Sequence, residues 1–342
     1  MLTHAVEAAL VGLIGSAGLV ALVRSWARRR LLDHPNERSL HVQPTPRGAG
    51  IGMVVPISLA IGVVSLRVPD ATSPAVWLVG GALLMGMIGL IDDVRGLPAV
   101  TRLVSHIIAA GFVAIGLGSW PTLVWPGLFH FELGWAAVPL TMLLVAGFTN
   151  AYNFMDGVDG IAGSQAVVAG IGWLVAGYAI QNPLLVATGA VIAASSLGFL
   201  FFNWPPASIF MGDVGSSFLG FLLAALAVYA ATQSPAAGTA GMLFVWPFLF
   251  DTTFTMVRRA GRRENLLAAH RSHLYQRLVL TGVSHQTATL LYAALAAVGV
   301  SVGYVVAHDS RILSLVGALL ISVLAVGLWM VVLWRERSHG HR

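Results

Sequence analysis

The stretch NAYNFMDGVDGIAG, residues 150–163, sets Asp156 and Asp159, Asn150 and Asn153, and three glycines between long runs of Val, Leu, Ala and Phe. A carboxylate next to hydrocarbon is costly, so acids at the mouth of an apolar helix call for a reason. The runs on either side, near 135–149 and 162–180, decide the fold. Each approaches the roughly 20 apolar residues that cross a bilayer.

The same alternation of apolar runs and polar breaks fills the chain. Its 342 residues are 57% hydrophobic and only 10% charged. A soluble domain carries roughly a quarter charged residues, so this chain cannot cover a water-facing surface. Helical runs rather than alternating ten-residue strands predict an all-α bundle, a polytopic integral membrane protein, and not a β-barrel. Apolar runs broken by Pro, Gly and charge place ten or eleven spans. They lie near 5–23, 50–67, 74–91, 103–119, 135–149, 162–180, 184–202, 216–231, 239–256, 285–306 and 312–334. No soluble domain, linker or low-complexity tract interrupts them, so residues 1–342 read as one transmembrane domain. The first run is followed, not preceded, by basic residues, the reverse of a signal peptide.

There is no cysteine, which excludes disulfides, thiolate nucleophiles and Cys-ligated metals. Basic residues favour the cytoplasmic side. Placing 24–49 inside puts seventeen arginines inside and leaves only Arg67 and Arg311 outside. The N-terminus is therefore expected outside and the C-terminus in the cytoplasm. Outer connections such as 118–134, 181–183 and 232–238 are bland. The inner ones, 24–49, 92–102, 150–161, 203–215 and 257–283, hold nearly all the available chemistry. Arginines alone also serve to fix orientation, so they do not by themselves demonstrate an anionic partner.

Asp92 and Asp93 end the third span. Adjacent helical residues point about 100° apart, so the pair does not act as one dyad on a single atom. Acids at a helix C-terminus oppose its dipole, which predicts a metal or a cationic neighbour there. Asp156 and Asp159 would share a face if locally helical, and Gly157 and Gly160 would admit close approach. A turn rich in Asn, Asp and Gly accounts for the same residues. Asp213 precedes the eighth span, where Gly215, Ser216 and Ser217 open a helix whose free N–H groups predict an anion site; ordinary capping is the alternative. Arg38, His41 and Arg47 share the first inner loop with Pro35, Pro44 and Pro46, which prevent a helix. Segment 257–283 carries His270, Arg271 and His273. Its Leu267, Leu274 and Leu278 share a helical face that predicts a stretch lying along the membrane surface. Carboxylate oxygens without cysteine suit Mg²⁺ or Mn²⁺, and Arg and His suit phosphate oxygens. The combination predicts phosphoryl chemistry on a lipid, or nucleotide binding beside one, with no nucleic-acid partner.

Five stretches, DHPNERSLHVQPTPRGAG (33–50), GLIDDVRGLP (89–98), NAYNFMDGVDGIAG, FFNWPPASIFMGDVGSSFLG (201–220) and HRSHLYQRL (270–278), resemble in order the motifs of the polyprenyl-phosphate N-acetylhexosamine-1-phosphate transferases. The resemblance implies transfer of a sugar-1-phosphate from a UDP-N-acetylhexosamine to undecaprenyl phosphate, releasing UMP and needing Mg²⁺. It implies a cytosolic active site on a bacterial inner-membrane bundle. It gives Asp92 and Asp93 a part in catalysis and lipid-phosphate positioning, and Asp213 the metal. It assigns Asn153, Asp156 and Asp159 to the nucleotide-sugar and catalytic loop, and His270, Arg271 and His273 to the pyrophosphate. The expected substrate-binding set also takes in Asn150, Asn203, Arg38, His41, Arg47 and Arg102. There are departures. The absence of a triple histidine points away from the muramoyl-pentapeptide transferases and toward the branch that starts O-antigen or related surface polysaccharides. Ala49 stands where Gly is usual, and Arg102 where Lys is frequent, which changes donor geometry. A transporter or flippase for lipid-linked or nucleotide sugars is the rival; it would place polar residues near mid-membrane between repeats, and no internal repeat is found. No motif names the sugar or the oligomeric state.

Overall fold

The computed structural model describes residues 1–33, 35, 40, 43–266, 268, 270–308 and 310–339. In chain order they form α1 (Leu2–Ala27), β1 (Leu32–Asp33), β2 (Thr45–Pro46), α2 (Ile51–Ser65), α3 (Thr72–Arg95), α4 (Ala99–Gly116), β3 (Thr122–Trp125) and β4 (Phe129–Glu132). There follow α5 (Ala137–Phe154), α6 (Ile161–Ala179), α7 (Pro183–Asn203), α8 (Asp213–Gln233), α9 (Pro235–Leu243), α10 (Trp246–Gly261), α11 (Leu274–Leu280), α12 (His285–Ala307) and α13 (Arg311–His339). Among the described residues, nine helices are long and apolar enough to cross a membrane, or ten if the bent pair α9–α10 is one span. The chain is a multi-pass helical membrane protein.

Two of the eleven expected spans differ from plain crossing helices. The second is a shorter apolar helix of 15 residues, α2. The ninth, expected straight over 239–256, is broken into α9 and α10 with a 72° bend. Pro247 lies in the first turn of α10, where its missing N–H costs nothing but a continuous helix through it would lose a bond. The bland outer connection also holds structure: β3 and β4 pair antiparallel from Thr122↔Glu132 to Trp125↔Phe129.

The helix α8 is buried along nearly its whole length, whereas α1 and α13 mostly face outward. Lipid tails are as apolar as leucine, so helices in a bilayer associate through close backbone packing at small residues. A Cβ on Gly89 of α3 would lie 2.2 Å from the carbonyl oxygen of Asp213. That crossing brings the next turn of α3, with Asp92 and Asp93, against the start of α8.

The connections that precede α2 and α8 are zipped together beside it. Phe210 N donates to Pro46 O at 2.8 Å, Ala49 N to Phe210 O at 3.0 Å, and Gly50 N to Met211 O at 2.8 Å. The close approach falls at Gly50, where a Cβ would sit 2.4 Å from Gly215 N. Ala49 is fully buried, so a methyl group is accommodated there. Leu274 and Leu278 of α11 are 0% and 2% exposed. They pack in the protein core rather than lying along the membrane surface, and Leu267 falls outside the described residues. Tyr275 Oη donates to Phe154 O at 3.0 Å, which fixes α11 against the end of α5.

Candidate active site

Where α3 ends and α8 begins lies a cavity of about 420 Å³ whose wall carries Asp33, Asp92, Asp93, Asp156, Asp159 and Asp213. Against these six aspartates stand two arginines, Arg47 and Arg102, with His285 at the edge. Arg38 and His41 lie outside the described residues.

The start of α8 is not the open anion site its sequence suggests. Asp93 Oδ1 accepts from Asp213 N at 3.0 Å and Oδ2 from Val214 N at 3.1 Å. The N–H groups of Gly215 and Ser216 return to Gly212 O. The N–H groups of Asp213, Val214 and Gly215, three of the orphan donors at the helix start, are thus satisfied by protein, and the cap comes from another helix rather than from Asp213 or a serine. Gly212 makes this possible: its φ is +76, and a Cβ there would stand 2.6 Å from Asp93 Oδ2.

Asp92 points elsewhere, as adjacent helical residues must. Its Oδ1 accepts from Leu97 N at 2.6 Å and its Oδ2 meets Arg102 Nη1 at 3.1 Å. Arg47 Nη1 lies 3.8 Å from Asp93 Oδ1 and 3.9 Å from Asp33 Oδ1, while Nη2 donates to the Asp93 carbonyl. Each member of the pair therefore has the cationic neighbour that its position demanded. Asp213, first residue of α8, projects its carboxylate against those of Asp93 and Asp92. Asn153 Nδ2 donates to Asp213 Oδ1 at 2.7 Å and to Ser216 Oγ at 2.9 Å.

Residues 155–160 are not helical, so Asp156 and Asp159 share no helical face. Asp159 Oδ2 accepts from Ala207 N at 3.1 Å and lies 3.3 Å from His285 Nδ1. Asp156 is half-buried. Loss of solvent first, then the charges of Asp213, Asp93 and Asp159, hold its carboxyl well above the usual carboxylate range. Asn203 spends neither end of its amide on the cavity: Oδ1 accepts from Gly160 N and Nδ2 donates to Ile209 O, each at 2.9 Å. Asn203 thus ties two loops together while lining the acidic cavity. Asn150 Nδ2 donates to Ala146 O at 3.0 Å, and the residue faces a second cavity.

That cavity, about 810 Å³, runs between α3, α4, α5, α8 and α10 with walls that include Ile88, Leu103, Leu143, Phe148, Leu249 and Met256. It shares Asp92, Arg102 and Asn153 with the acidic cavity and carries His106, His270 and His273 on its wall. Burial first, then His273 and Arg259, push His270 down to about 4, so its imidazole is neutral near pH 7. His270 Nδ1 lies 2.9 Å from Ser272 Oγ. His273 Nδ1 lies 3.3 Å from Asp251 Oδ1. Asp251, fully buried in α10, also accepts from Leu274 N at 2.8 Å, Tyr275 N at 3.0 Å and Tyr292 Oη at 2.6 Å. Arg271 does not join its neighbouring histidines; it lines a third cavity with Arg258, Arg262 and Arg277.

Sequence reasoning passed over Asp251, which sits inside an apolar run, and His285, which it assigned to the start of a span. Neither has another charged residue within five positions along the chain. An isolated acid within a span was the available signal for Asp251.

The donor set fits a hard divalent cation. Six acids against two arginines leave the cavity wall strongly negative, and a phosphate-bearing ligand would be repelled without a positive charge between. Among the described residues no group of three acidic or histidine side chains forms a closed metal cage. Mg²⁺ commonly takes one or two carboxylates and completes its shell with water and substrate phosphates, which this arrangement allows.

Residues 75–231 match Glycosyl transferase family 4. The chain is 33% identical over 267 residues to the probable undecaprenyl-phosphate N-acetylglucosaminyl 1-phosphate transferase of Bacillus subtilis, spanning 76% of this chain and 73% of that protein. It is 32% identical over 323 residues to the decaprenyl-phosphate N-acetylglucosaminephosphotransferase of Mycolicibacterium smegmatis, spanning 83% and 78%. A phospho-N-acetylmuramoyl-pentapeptide-transferase of Oceanobacillus iheyensis is 30% identical over 198 residues, spanning 54% and 61%. Motifs, architecture and relatives agree: the chain belongs to glycosyl transferase family 4, the family of the polyprenyl-phosphate N-acetylhexosamine-1-phosphate transferases.

Proposed function

We propose that the protein transfers N-acetylglucosamine-1-phosphate from UDP-N-acetylglucosamine to undecaprenyl phosphate, releasing UMP at the cytosolic face of the bacterial inner membrane. The observation that carries this reading is the joining of an acidic cavity to a larger apolar groove through Asp92, Arg102 and Asn153. One compartment suits a metal-bound diphosphate and the other a prenyl tail, and their shared wall is where the two phosphates would meet. The choice of sugar follows the names of the two relatives with the longest overlap quoted above. The product would start a lipid-linked surface glycan such as O-antigen.

In this reading Asp213 would hold Mg²⁺ or Mn²⁺, and such an ion would supply positive charge to offset that of the bound phosphates. Asn153 fixes the Asp213 carboxylate by its 2.7 Å bond. Arg102, held by Asp92 at 3.1 Å, orients the acceptor phosphate at the mouth of the groove. Arg47 and the neutral imidazole of His270 donate to the remaining phosphate oxygens, and His273, held by Asp251, lines the same groove. A phosphate monoester has a second pKa of about 6, so the acceptor is already mostly the dianion at neutral pH and attacks without a strong base. Asp93 is engaged by two backbone N–H groups, which suits an orienting role better than a nucleophilic one.

The test is purified protein in detergent with undecaprenyl phosphate, Mg²⁺ and a panel of UDP-N-acetylhexosamines. Lipid-extractable sugar phosphate formed in step with UMP, greatest with UDP-N-acetylglucosamine, is expected. UMP release without a membrane barrier separates this reading from a transporter, and no lipid product with any donor would overturn it. Orientation has its own check. Cysteines placed at Arg29 and Gly261 should label from the cytosol and one at Gln233 from outside; labelling of all three from one side would reverse the span count.

A further inference from the structure

The third cavity lies between α10, α11 and α13, beside the apolar groove, with which it shares Val257, and apart from the acidic cavity; it measures about 720 Å³. One wall is cationic: Arg258, Arg262, Arg271 and Arg277, with Glu336 as its one acid. Glu336 is taken up by Arg277, whose Nε donates at 2.6 Å and whose Nη2 completes the fork. Arg258 Nη2 donates to Ser272 O at 3.2 Å. Among the described residues no carboxylate pairs with Arg258, Arg262 or Arg271. Two guanidinium nitrogens, Arg258 Nε and Arg277 Nη1, are buried without any hydrogen-bond partner, although Arg277 itself is only 7% exposed. A buried donor left unmet is costly, and two further positive charges, Arg262 and Arg271, line the same cavity. The opposite wall is apolar, built from Phe254, Trp329 and Leu333. Val257 and Leu280 stand exposed at its rim.

We propose that this cavity is a binding site for one anionic phospholipid. Its phosphate would lie against Arg258, Arg262 and Arg271, and its acyl chains would run over Trp329 and Leu333 along α13. Three observations select this occupant. The cluster sits at the end of α10 and α13, the level at which spanning helices leave hydrocarbon. Unpaired arginines outnumber acids, so charge complementarity demands an anion. The wall across from them is apolar, which a free inorganic phosphate or a nucleotide would leave unused. Arg271 then acts one residue away from His270 without touching the transferred groups. The proposal is independent of the transferase reading, since its readout is lipid retention.

Native mass spectrometry of the full chain, released from detergent with dioleoyl phosphatidylglycerol or dioleoyl phosphatidylcholine, measures that retention. One phosphatidylglycerol should persist where phosphatidylcholine is lost. The double variant Arg262→Gln/Arg271→Gln should weaken retention about thirty-fold, taking about 1 kcal/mol per arginine near a lipid surface. The control Arg28→Gln/Arg29→Gln, which removes two exposed arginines on α1 and its end, should not. Trp329→Ala should weaken the lipid again without altering any protection from heat by inorganic phosphate. Equal loss in both double variants would mean general electrostatic attraction and overturn the site. So would equal retention of the two lipids, or protection by inorganic phosphate that equals that by phosphatidylglycerol. If Arg262→Gln/Arg271→Gln does not fold, the single variant Arg262→Gln, at a surface position, carries the same comparison at about a five-fold loss.

Discussion

Two helices in this molecule begin on a carboxylate borrowed from a neighbour. At α8 the acid is Asp93, brought by α3; at α11 it is Asp251, brought by α10. Both satisfy the first N–H groups and meet the positive end of the helix dipole. They differ in what lies behind them. Asp251 is fully enclosed and bonded to protein on every side, Tyr292 and His273 included. Asp93 lines an open cavity beside Arg47 and Asp213. The difference teaches what a cap is for. In each case the capping acid is engaged by backbone N–H groups, and a further polar side chain stands at the capped turn, Asp213 at α8 and His273 at α11.

The sharpest way to break this comparison is at Asp213. Asp213→Asn keeps an oxygen to accept from Asn153 and leaves the Asp93 cap untouched, so the fold should survive. Turnover should fall by about a thousand-fold or more, since an amide cannot neutralise a divalent cation whose electrostatic effect is several kcal/mol. EDTA should mimic the variant reversibly. Near-normal UMP release by the variant would remove Asp213 from the metal site.

The two caps themselves should separate by assay. Asp251→Ala leaves Leu274 N, Tyr275 N, Tyr292 Oη and the His273 ring without their buried acceptor, and should cost about 3–5 kcal/mol of stability. Asp93→Ala should cost less stability, about 1–3 kcal/mol, because the cavity lets water reach the freed N–H groups. Its loss of turnover should exceed that of the Asp251 variant measured on folded protein. Thermal unfolding in detergent with UMP release on the same samples decides it; the reverse order would mean that the open cap is the structural one.

How much of this was legible in the sequence follows from the same physics. The spans were, because hydropathy is a sum over many residues, and every apolar run became a helix. The bend at Phe244–Val245 was hidden inside a run whose length alone matched one span. The acids of the cavity were legible as interruptions of apolar runs. Their partners were not: that Asp93 closes α8, 120 positions later, depends on a crossing at Gly89 that no local pattern encodes. Asp159 and Asn203 line the cavity and also hold Ala207, Gly160 and Ile209 in place, ties between loops that no local pattern announces. Arg271 belonged to a basic motif by adjacency, yet its side chain turns to another cavity from those of His270 and His273. One residue of chain separates them, and backbone direction divides them.

A smaller effect tests the α11 side. His270 titrates at about 4 in the fold against about 6.5 when unfolded, so the unfolded chain binds the extra proton between those values. Stability from this group is whole above pH 6.5 and declines as pH falls toward 4. His270→Gln should flatten that part of the stability–pH curve while adding no inflection to turnover between pH 7 and 8. An inflection near neutrality that vanishes with His270 would mean a charged imidazole in the working enzyme.

The smallest expected effect is none at all, and it bears on what the engaged caps permit. Were Asp92 or Asp93 to attack the diphosphate, a covalent sugar-phosphoryl enzyme would form before any lipid bound, and UMP would leave in a half-reaction. Asp93 would have to release Asp213 N and Val214 N to do so, opening the first turn of α8. Asp92 would have to release Leu97 N and Arg102, and either would approach a polyanion as an anion. The acceptor dianion opens no cap, and at the groove side Arg102 stands to offset its charge. Labelled UMP should therefore not exchange into UDP-N-acetylglucosamine with Mg²⁺ until lipid phosphate is supplied, in protein stripped of copurified prenyl phosphate. Exchange without lipid at a rate near turnover would show that a cap opens during the reaction, and the distinction between a capping acid and a reacting one would fail at α8.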